Sequence, residues 1–175
     1  MSTPVTAPQL AISLLKQFEG LRLEAYMDVE GNPTIGYGHK LPHGSGLNLI
    51  TEAQATALLQ TDADSVAQLI ARVCKVPLNV NQQSALISFV YNVGAGNFST
   101  STLLKRLNTR DYIGASQQFA VWNKVAINGK LQVSAGLVNR RQAEKHLYLT
   151  PVEVATDAQK PAQPSAASAA KPQST

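Results

Sequence analysis

Residues 18–39 read FEGLRLEAYMDVEGNPTIGYGH, and within this stretch the pattern of the chain changes from helical to extended. Upstream of Gly20, apolar residues recur at the spacing of one helix face, and Thr6 and Gln9 have the spacing of a capping box. From residue 21 to residue 49 that period is lost, and five glycines and two prolines predict short strands joined by turns. The sequence therefore predicts one helix followed by a small sheet.

A long helix is predicted after the sheet. Thr51 and Gln54 form a second capping box at its start, and Pro77 closes it. Cys74, the single cysteine of the chain, lies near its end without a partner and is expected to be an idle thiol. One side of this helix carries the residues expected to pack: Ala55, Leu58, Leu59, Asp62, Val66, Leu69, Ile70 and Val73.

The remainder of the folded part is predicted to be helical. Asn81 is expected to cap a helix that ends at two glycines. Three more helices are predicted over 99–107, 111–122 and 135–148. The pair Asn128-Gly129, between the last two helices, predicts a tight turn.

Together these elements predict an α+β fold with a small antiparallel β-sheet lobe, a mainly helical lobe and the long helix joining them. A cleft between two lobes is the usual place for a polymer substrate. Residues 1–150 are expected to form this one domain. Residues 151–175 contain no aromatic residue, and Ala, Pro, Ser and Gln supply 17 of these 25 positions, so a disordered tail is predicted.

The composition excludes several classes of protein. A chain of 175 residues with one cysteine has no internal disulfide and no Cys-based zinc site, and about 150 folded residues bury enough surface to need neither. No apolar run reaches the roughly 18 residues of a membrane span. The N-terminus has no basic region followed by an apolar run, so no secretory signal is predicted, and synthesis in the cytoplasm is expected.

Charge is unevenly distributed along the chain, whose net charge is +4. Residues 1–74 carry 4 basic and 7 acidic side chains, whereas residues 75–150 carry 9 basic and 2 acidic ones, a net charge of +7. A basic second half suits a polyanionic partner such as nucleic acid, anionic lipid or an acidic cell-wall polymer, and equally a solvated helical surface. The basic residues are scattered and show no glycine-aromatic signature, so no nucleic-acid partner is predicted.

Three residues of the opening segment could carry chemistry. Glu19 ends the first helix directly after an aromatic residue, and apolar surroundings favour a protonated carboxyl that can serve as a general acid. Asp28 can face it across a cleft, and Thr34, on the next strand, could hold a water beside Asp28. Two carboxyls in different surroundings and a water suffice to hydrolyse a glycosidic bond. Acidic residues near loops are commonly plain surface groups, as expected of Glu24 and Glu30, so the pairing alone does not decide the function.

The spacing of these residues is set within longer motifs. Glu19, Asp28 and Thr34 are separated by eight and five residues, within FEGxRLxAY and TIGYGH. Further motifs are FVYNVG at 89–94, NFSTSTLL at 97–104, Trp122 and GLVNRRQAE at 136–144. Over residues 9–149 this pattern closely resembles the phage-type lysozymes, the bacteriophage endolysin muramidases, which are glycoside hydrolases.

The resemblance implies a lysozyme-like fold with an active-site cleft, and it implies catalytic roles. Glu19 would protonate the leaving sugar oxygen, and Asp28 with Thr34 would position and activate the water. The family is generally described as inverting, which predicts that the two carboxyls lie about 6.5–9.5 Å apart.

The resemblance also implies residues that bind substrate or support the site. Tyr91, Asn92 and Ser101 are expected to contact sugars, and Arg140 is expected to reach towards the catalytic glutamate. Core packing for Tyr91 and a surface charge for Arg140 are the alternatives. His39 completes the set, with a hydrogen bond that holds the sheet lobe in place.

The resulting prediction is a lysozyme that cuts the β-1,4 bond between N-acetylmuramic acid and N-acetylglucosamine of bacterial peptidoglycan and thereby lyses cells. No cofactor is expected, and no metal, because His39 and His43 lie on a non-helical stretch without a third ligand. The alternatives are a lytic transglycosylase acting on the same bond and a cell-wall binding module without catalysis. The protein is expected to be a monomer that is made in the host cytoplasm and reaches the wall with the help of a separate holin-like, membrane-permeabilising protein.

Overall fold

The computed structural model describes residues 5–152 of the chain. Of the predicted tail, residues 151–175, only 151 and 152 are among the described residues. The described part contains seven α-helices, one short 3₁₀ helix and two antiparallel sheets, which confirms the α+β prediction. In chain order they are α1 (Gln9–Glu19), β1 (Arg22–Met27), β2 (Pro33–Gly36), β3 (His39–Lys40), α2 (Glu52–Val73), α3 (Val80–Val93), α4 (Ala95–Thr100), α5 (Thr102–Asn108), α6 (Tyr112–Gln117), the 3₁₀ helix (Phe119–Val121), β4 (Lys124–Ile127), β5 (Lys130–Val133) and α7 (Ala135–Leu149).

Helix α1 begins one residue after a proline and ends at the candidate acid Glu19. The predicted capping box of Thr6 and Gln9 is wrong, because Pro8 occupies the N-cap position and no side chain caps the helix. Pro8 is extended at φ −61° and ψ 150°, so the first helical turn starts only after it. The helix buries Ala11, Ile12 and Leu15, and Gly20 at φ 68° turns the chain into β1.

The first sheet is antiparallel, with strand order β1-β2-β3. Tyr26 lies opposite Thr34, and Thr34 lies opposite Lys40. Gly36 has a φ of 68°, and a Cβ at this position would lie 3.3 Å from the Cβ of Ala55 in α2. The sheet therefore approaches the long helix closely at a glycine that no larger residue could replace without strain.

Helix α2 spans 22 residues, about 33 Å, and runs from the sheet to the helical lobe. The predicted capping box is confirmed: Thr51 and Gln54 bond each other's backbone N–H groups. Three of its five buried residues are alanines; the five are Ala55, Leu59, Ala63, Ala67 and Ile70. The larger predicted residues Leu58, Val66, Leu69 and Val73 pack partly buried against the core.

Helix α3 is the centre of the helical lobe and packs against α1, α2 and α7. Its N-cap is Asn79, not the predicted Asn81, since Asn79 has Gln82 three residues later and the two form a capping box. The side chain of Asn81 instead donates to the carbonyl of Thr150, beyond the end of α7. Residues 84–90 are all buried, so this part of α3 is enclosed on every side.

The segments after α3 are more broken than predicted. The helix expected over 99–107 is two helices that meet at Ser101, and the helix expected over 111–122 is α6 followed by the 3₁₀ helix. Strands β4 and β5 form a hairpin of which only the turn was predicted. Asn128 at φ 50° and Gly129 at φ 75° make that turn, where two successive positive φ values are required. Every residue of both strands is exposed, so neither strand shows the alternation that marks a half-buried one.

Aromatic rings fill the middle of the helical lobe. Phe89 makes edge-on contacts with Phe98, Phe119 and Trp122, at centroid distances of 6.4, 5.2 and 5.8 Å. Tyr148, in the last turn of α7, packs against Phe119 at 5.6 Å. These rings anchor α7 to α3, and α7 carries the arginines described below. Over the described residues, no helix is both long and apolar enough to cross a membrane.

Candidate active site

Glu19 is the last residue of α1, at the junction with the first sheet. Its Oε1 lies 2.7 Å from Nη1 of Arg140, and the two side chains are 18% and 3% exposed. The guanidinium of Arg140 also lies 5.6 Å from the centre of the Phe18 ring. The sequence predicts apolar surroundings for the Glu19 carboxyl, whereas the partner found in the structure is the buried cation of Arg140.

Arg140 is held in place by buried partners on its own helix and on α3. Its Nε donates to Oε1 of Glu144 at 3.1 Å, and its Nη2 donates to the backbone carbonyl of Ser88 at 2.9 Å. The Ser88 hydroxyl donates to the same Glu144 oxygen at 2.7 Å. The surface charge considered for Arg140 is thus wrong, because the side chain lies inside the lobe.

Glu144 is completely buried and faces two arginines. Arg141 approaches its two oxygens at 2.9 and 3.1 Å. Burial raises the pKa of the Glu144 carboxyl, and the charges of Arg141 and Arg140 and the Ser88 hydroxyl oppose that rise. Burial likewise lowers the pKa of Arg141 to about 10. The cluster is a charge-paired polar island within an apolar lobe.

Arg141 also reaches Asn92, at the surface end of α3. Its Nη2 donates to Oδ1 of Asn92 at 3.0 Å. Since the amide oxygen is engaged, the amide N–H groups of Asn92 are the donors left for another partner. Asn92 is exposed and lines a groove of about 530 Å³ together with Val93, Asn97, Val121, Trp122, Lys124 and Leu131.

Asp28 lies in the tight turn between β1 and β2. Its Oδ1 accepts hydrogen bonds from the backbone N–H groups of Asn32 at 2.8 Å and Glu30 at 2.9 Å, and Lys40 Nζ lies 3.4 Å from its Oδ2. The hydrogen bonds from Asn32, opposed by some burial, lower the pKa of Asp28 below its ordinary value of 3.8, and Glu30 N–H and Lys40 contribute further. Asp28 is thus a fixed carboxylate that is ionised at neutral pH.

Thr34 lies on β2 with only 2% of its surface exposed. Its hydroxyl donates to the backbone carbonyl of Asn32 at 3.0 Å, in the same turn that holds Asp28. With its hydrogen used in this bond, the hydroxyl oxygen can only accept from any further partner. The other two carboxyls of this segment are surface groups, as expected: Glu24 is exposed, and Glu30 is 70% exposed and pairs with Lys40.

Tyr91 and His39 tie the sheet to the helices. The Tyr91 hydroxyl donates to the carbonyl of Tyr37 at 3.0 Å, and burial, followed by the charges of Asp62 and Glu19, raises the pKa of that hydroxyl. His39 Nδ1 lies 2.8 Å from Oδ2 of Asp62 in α2, the kind of hydrogen bond expected from the sequence. Tyr91, His39 and Asp62 line a second groove of about 350 Å³.

Ser101, which is predicted to contact sugar, lies at the junction of α4 and α5. It is 6% exposed, its hydroxyl donates to the carbonyl of Phe98 at 2.7 Å, and it accepts from the N–H of Leu104 at 3.1 Å. Ser101 is therefore the N-cap of α5. Both functions of its hydroxyl are engaged within the helical lobe.

The sequence did not single out Glu144 or Arg141 as site residues. The signal was available in the spacing of the GLVNRRQAE motif, because positions three and four apart lie on one helix face. That spacing puts Glu144 beside both arginines, but it does not show that the face is buried. Among residues 5–152, no group of three or more His, Cys, Asp and Glu side chains is placed to hold a metal ion.

The fold and the site together define a class of protein. A small sheet and a helical lobe are joined by a long helix, with one carboxyl at the end of α1 and another in the first turn of the sheet. One carboxyl faces a buried arginine, and the other is held ionised by a turn. Two carboxyls in contrasting surroundings are the equipment of a glycosidase of the lysozyme type.

Comparisons with known proteins agree with this class. The family described as phage lysozyme matches residues 16–144. The chain is 48% identical over 135 residues to an endolysin of Acyrthosiphon pisum secondary endosymbiont phage 1, across 77% of this chain and 92% of that protein. It superposes on the muramidase domain of SpmX from Asticaccaulis excentricus with a TM-score of 0.78 at 35% identity, across 84% of this chain and 99% of the other. An endolysin from Escherichia coli O157:H7 phage FAHEc1 gives a TM-score of 0.74 at 37% identity, across 85% and 96%.

The chain belongs to the phage lysozyme family. It is a lysozyme-type glycosidase with an endolysin, or muramidase, function. The resemblance inferred from the sequence motifs is thereby confirmed.

Proposed function

We propose that the protein hydrolyses the β-1,4 bond between N-acetylmuramic acid and N-acetylglucosamine in bacterial peptidoglycan, with Glu19 as general acid and Asp28 as general base. The observation that carries the proposal is the contrast between the two carboxyls. The two side chains are about equally exposed, at 18% and 19%, but their partners differ: Glu19 pairs with the buried Arg140, whereas Asp28 accepts hydrogen bonds from the backbone of its turn, which hold it ionised. Different partners of this kind are what separates an acid from a base in glycoside hydrolysis.

Glu19 acts on the leaving group. Its carboxyl protonates the glycosidic oxygen as the bond to the anomeric carbon breaks, and the resulting carboxylate is stabilised by Arg140 at 2.7 Å. Because Arg140 is itself bonded to Glu144 and to the Ser88 carbonyl, it cannot swing away from this position.

Asp28 and Thr34 act on the water. The Thr34 hydroxyl already donates to the Asn32 carbonyl, so it accepts one hydrogen of the water, and Asp28 accepts the other. With both hydrogens engaged, a lone pair of the water oxygen is left to attack the anomeric carbon. The water proton passes to Asp28 as the new bond forms.

Attack from the face opposite the leaving group inverts the anomeric centre. This geometry requires the Glu19 and Asp28 carboxyls to lie about 6.5–9.5 Å apart, with room for the water between them. A covalent, retaining mechanism would instead need a separation of about 5 Å.

Substrate binding involves the surface around these two carboxyls. The free N–H donors of Asn92 suit an oxygen acceptor on an amino sugar, such as an acetamido carbonyl. Tyr91 and His39 line the groove beside the sheet, and their hydrogen bonds to Tyr37 and Asp62 hold the sheet and the helices on either side of it together. A direct sugar contact by Ser101 would require its hydroxyl to give up a hydrogen bond to the Phe98 carbonyl or from the Leu104 N–H.

The route to the wall and the assembly state complete the proposal. The protein acts as a monomer, and a separate membrane-permeabilising, holin-like protein brings the enzyme, made in the host cytoplasm, to the peptidoglycan. The basic second half then attracts it to the anionic wall. Two of the nine basic side chains in that half, Arg140 and Arg141, are buried and paired with Glu19 and Glu144, so the attraction rests on the other seven.

The reaction can be tested by digesting purified peptidoglycan in H₂¹⁸O and analysing the released fragments. Hydrolysis predicts one ¹⁸O atom at each new reducing muramic acid end, and proton NMR at early times should show the α anomer. Anhydro ends without ¹⁸O would indicate a lytic transglycosylase instead. Binding to the wall without release of any fragment would indicate a module without catalysis.

A further inference from the structure

Glu144 is a buried carboxylate that is linked to the candidate acid Glu19 through one side chain, that of Arg140. Glu144 has no exposed surface, and it accepts from Arg140 at 3.1 Å, from Arg141 at 3.1 Å and from Ser88 at 2.7 Å. Arg140 in turn contacts Glu19 at 2.7 Å. The chain of contacts from Glu144 to the candidate acid therefore passes through a single side chain.

Burying this charged cluster inside the helical lobe has a high cost in desolvation free energy. The free-energy cost of removing two guanidiniums and a carboxylate from water can exceed the gain from their mutual attraction. Apolar residues of similar volume often stabilise such a position equally well. Packing alone therefore does not explain why Glu144 is buried between two arginines. The contact of Arg140 with a catalytic carboxyl offers the explanation.

We propose that Glu144 is a positioning residue for catalysis, which acts by holding Arg140 against Glu19. The proposal rests on the proposed role of Glu19 as the general acid. Arg140 has three points of attachment besides Glu19: the Glu144 carboxylate, the Ser88 carbonyl and, at 3.3 Å, the Ser88 hydroxyl. Ser88 and Glu144 are themselves hydrogen-bonded, so they orient the guanidinium together.

Glu144 also sets the charge balance around Glu19. The charged and titratable groups near Glu19 are Arg140 and Arg141 on α7 and Tyr91 on α3, whereas Lys16 on its own helix α1 lies over the Tyr37 ring. At present the two arginines are shared between two carboxyls. If Glu144 becomes neutral, both cations act on Glu19 alone, which favours the ionised carboxylate that cannot donate a proton.

The test is the pH dependence of kcat for the Glu144→Gln and Glu144→Asp variants, measured with soluble peptidoglycan fragments. Glu144→Gln should lower kcat about tenfold or more, because misplacing a catalytic group by about 1 Å costs on the order of 10²-fold. The alkaline limb of its pH–kcat profile, where activity falls as the general acid loses its proton, should lie at lower pH than in the wild type. Glu144→Asp keeps the charge and loses reach, so its kcat should be intermediate and its alkaline limb unmoved.

Two further variants separate positioning from loss of stability. Leu107→Ala opens a cavity at a fully buried position of α5 and should lower the melting temperature without moving the alkaline limb. Ser88→Ala removes the hydroxyl that orients Arg140 and should lower kcat several-fold with the limb unmoved. Ser88→Ala tests the proposal even if Glu144→Gln does not fold.

The proposal is overturned if folded Glu144→Gln has the kcat and the alkaline limb of the wild type, or if Leu107→Ala moves the limb equally. It is also overturned, should Glu144→Gln not fold, if Ser88→Ala and Glu144→Asp both retain the wild-type kcat. A wild-type protein that releases no reducing ends refutes the proposed function itself. An active wild type with unaffected variants refutes only the role of Glu144.

Discussion

Replacing Ser101 by alanine distinguishes a helix cap from a sugar contact. The structure assigns both hydrogen-bonding functions of this hydroxyl to the helical lobe: it accepts from the Leu104 N–H and donates to the Phe98 carbonyl. Loss of an N-cap costs about 0.5–2 kcal/mol, and a buried N–H left without an acceptor costs about 1–3 kcal/mol. These ranges describe one interaction from two sides, so we expect a loss of about 1–2 kcal/mol.

The predicted loss is large enough to measure by thermal unfolding. For a domain of this size, 1 kcal/mol corresponds to about 2–4 °C, so Ser101→Ala should lower the Tm by roughly 2–8 °C. The KM for peptidoglycan fragments should stay at the wild-type value at temperatures where the variant is folded. Ser134→Ala is the matched control, because Ser134 caps α7 with a longer bond of 3.4 Å and should cost less. An unchanged Tm together with a raised KM would refute the assignment of Ser101 to the cap and favour the sugar contact.

Three other changes follow from the same structure. Because the pKa of Asp28 lies below 3.8, its carboxylate is present at every higher pH, so the acid limb of kcat/KM should fall below pH 3.8 with folding monitored by circular dichroism; an acid limb near pH 6 would contradict Asp28 as the base. Gly36→Ala should lower the free energy of unfolding by about 1–2 kcal/mol in urea titrations, because the residue has a φ of 68° and its new Cβ would crowd Ala55; unchanged stability would contradict that crowding. Asn92→Asp keeps the oxygen that Arg141 bonds but removes the N–H donors, so KM should rise while Tm does not fall; an unchanged KM would remove Asn92 from the binding surface.

Local signals in the sequence predicted the parts of the fold that depend on neighbours along the chain. The capping box of Thr51 and Gln54 is one case, because its two hydrogen bonds lie within a single helical turn. The turn at Asn128-Gly129 is another, because Asn and Gly adopt the positive φ values that such a turn requires more readily than other residues do. The opening helix and the small sheet follow from the change of pattern in residues 18–39.

Features that depend on distant contacts were not predictable in the same way. Asn79 and Asn81 are both good capping residues, and the choice between them is reinforced by the contact of Asn81 with Thr150, 69 residues away. The β4-β5 hairpin is exposed on both faces, so it lacks the alternating pattern that reveals a strand.

The buried charges are the clearest example of a site that only the folded chain reveals. Arg140 and Glu144 have the composition of a solvated helix surface, and only the packing of α7 on α3 turns that surface inward. That packing brings Arg140 into contact with Glu19, which lies 121 positions earlier in the chain. The resemblance to the phage-type lysozymes implies this contact, but no local pattern of the chain encodes it, and nothing in the sequence predicts the burial of Glu144 behind it.

The most direct test of the central claim is mass spectrometry of the fragments that the wild type and the Glu19→Gln variant release from purified peptidoglycan. Glu24→Gln, a change of an exposed carboxyl in the same segment, is the matched control. We predict reducing muramic acid ends from the wild type and from Glu24→Gln, and none from a folded Glu19→Gln. Release of the same ends at the wild-type rate by Glu19→Gln would contradict the assignment of Glu19 as the general acid.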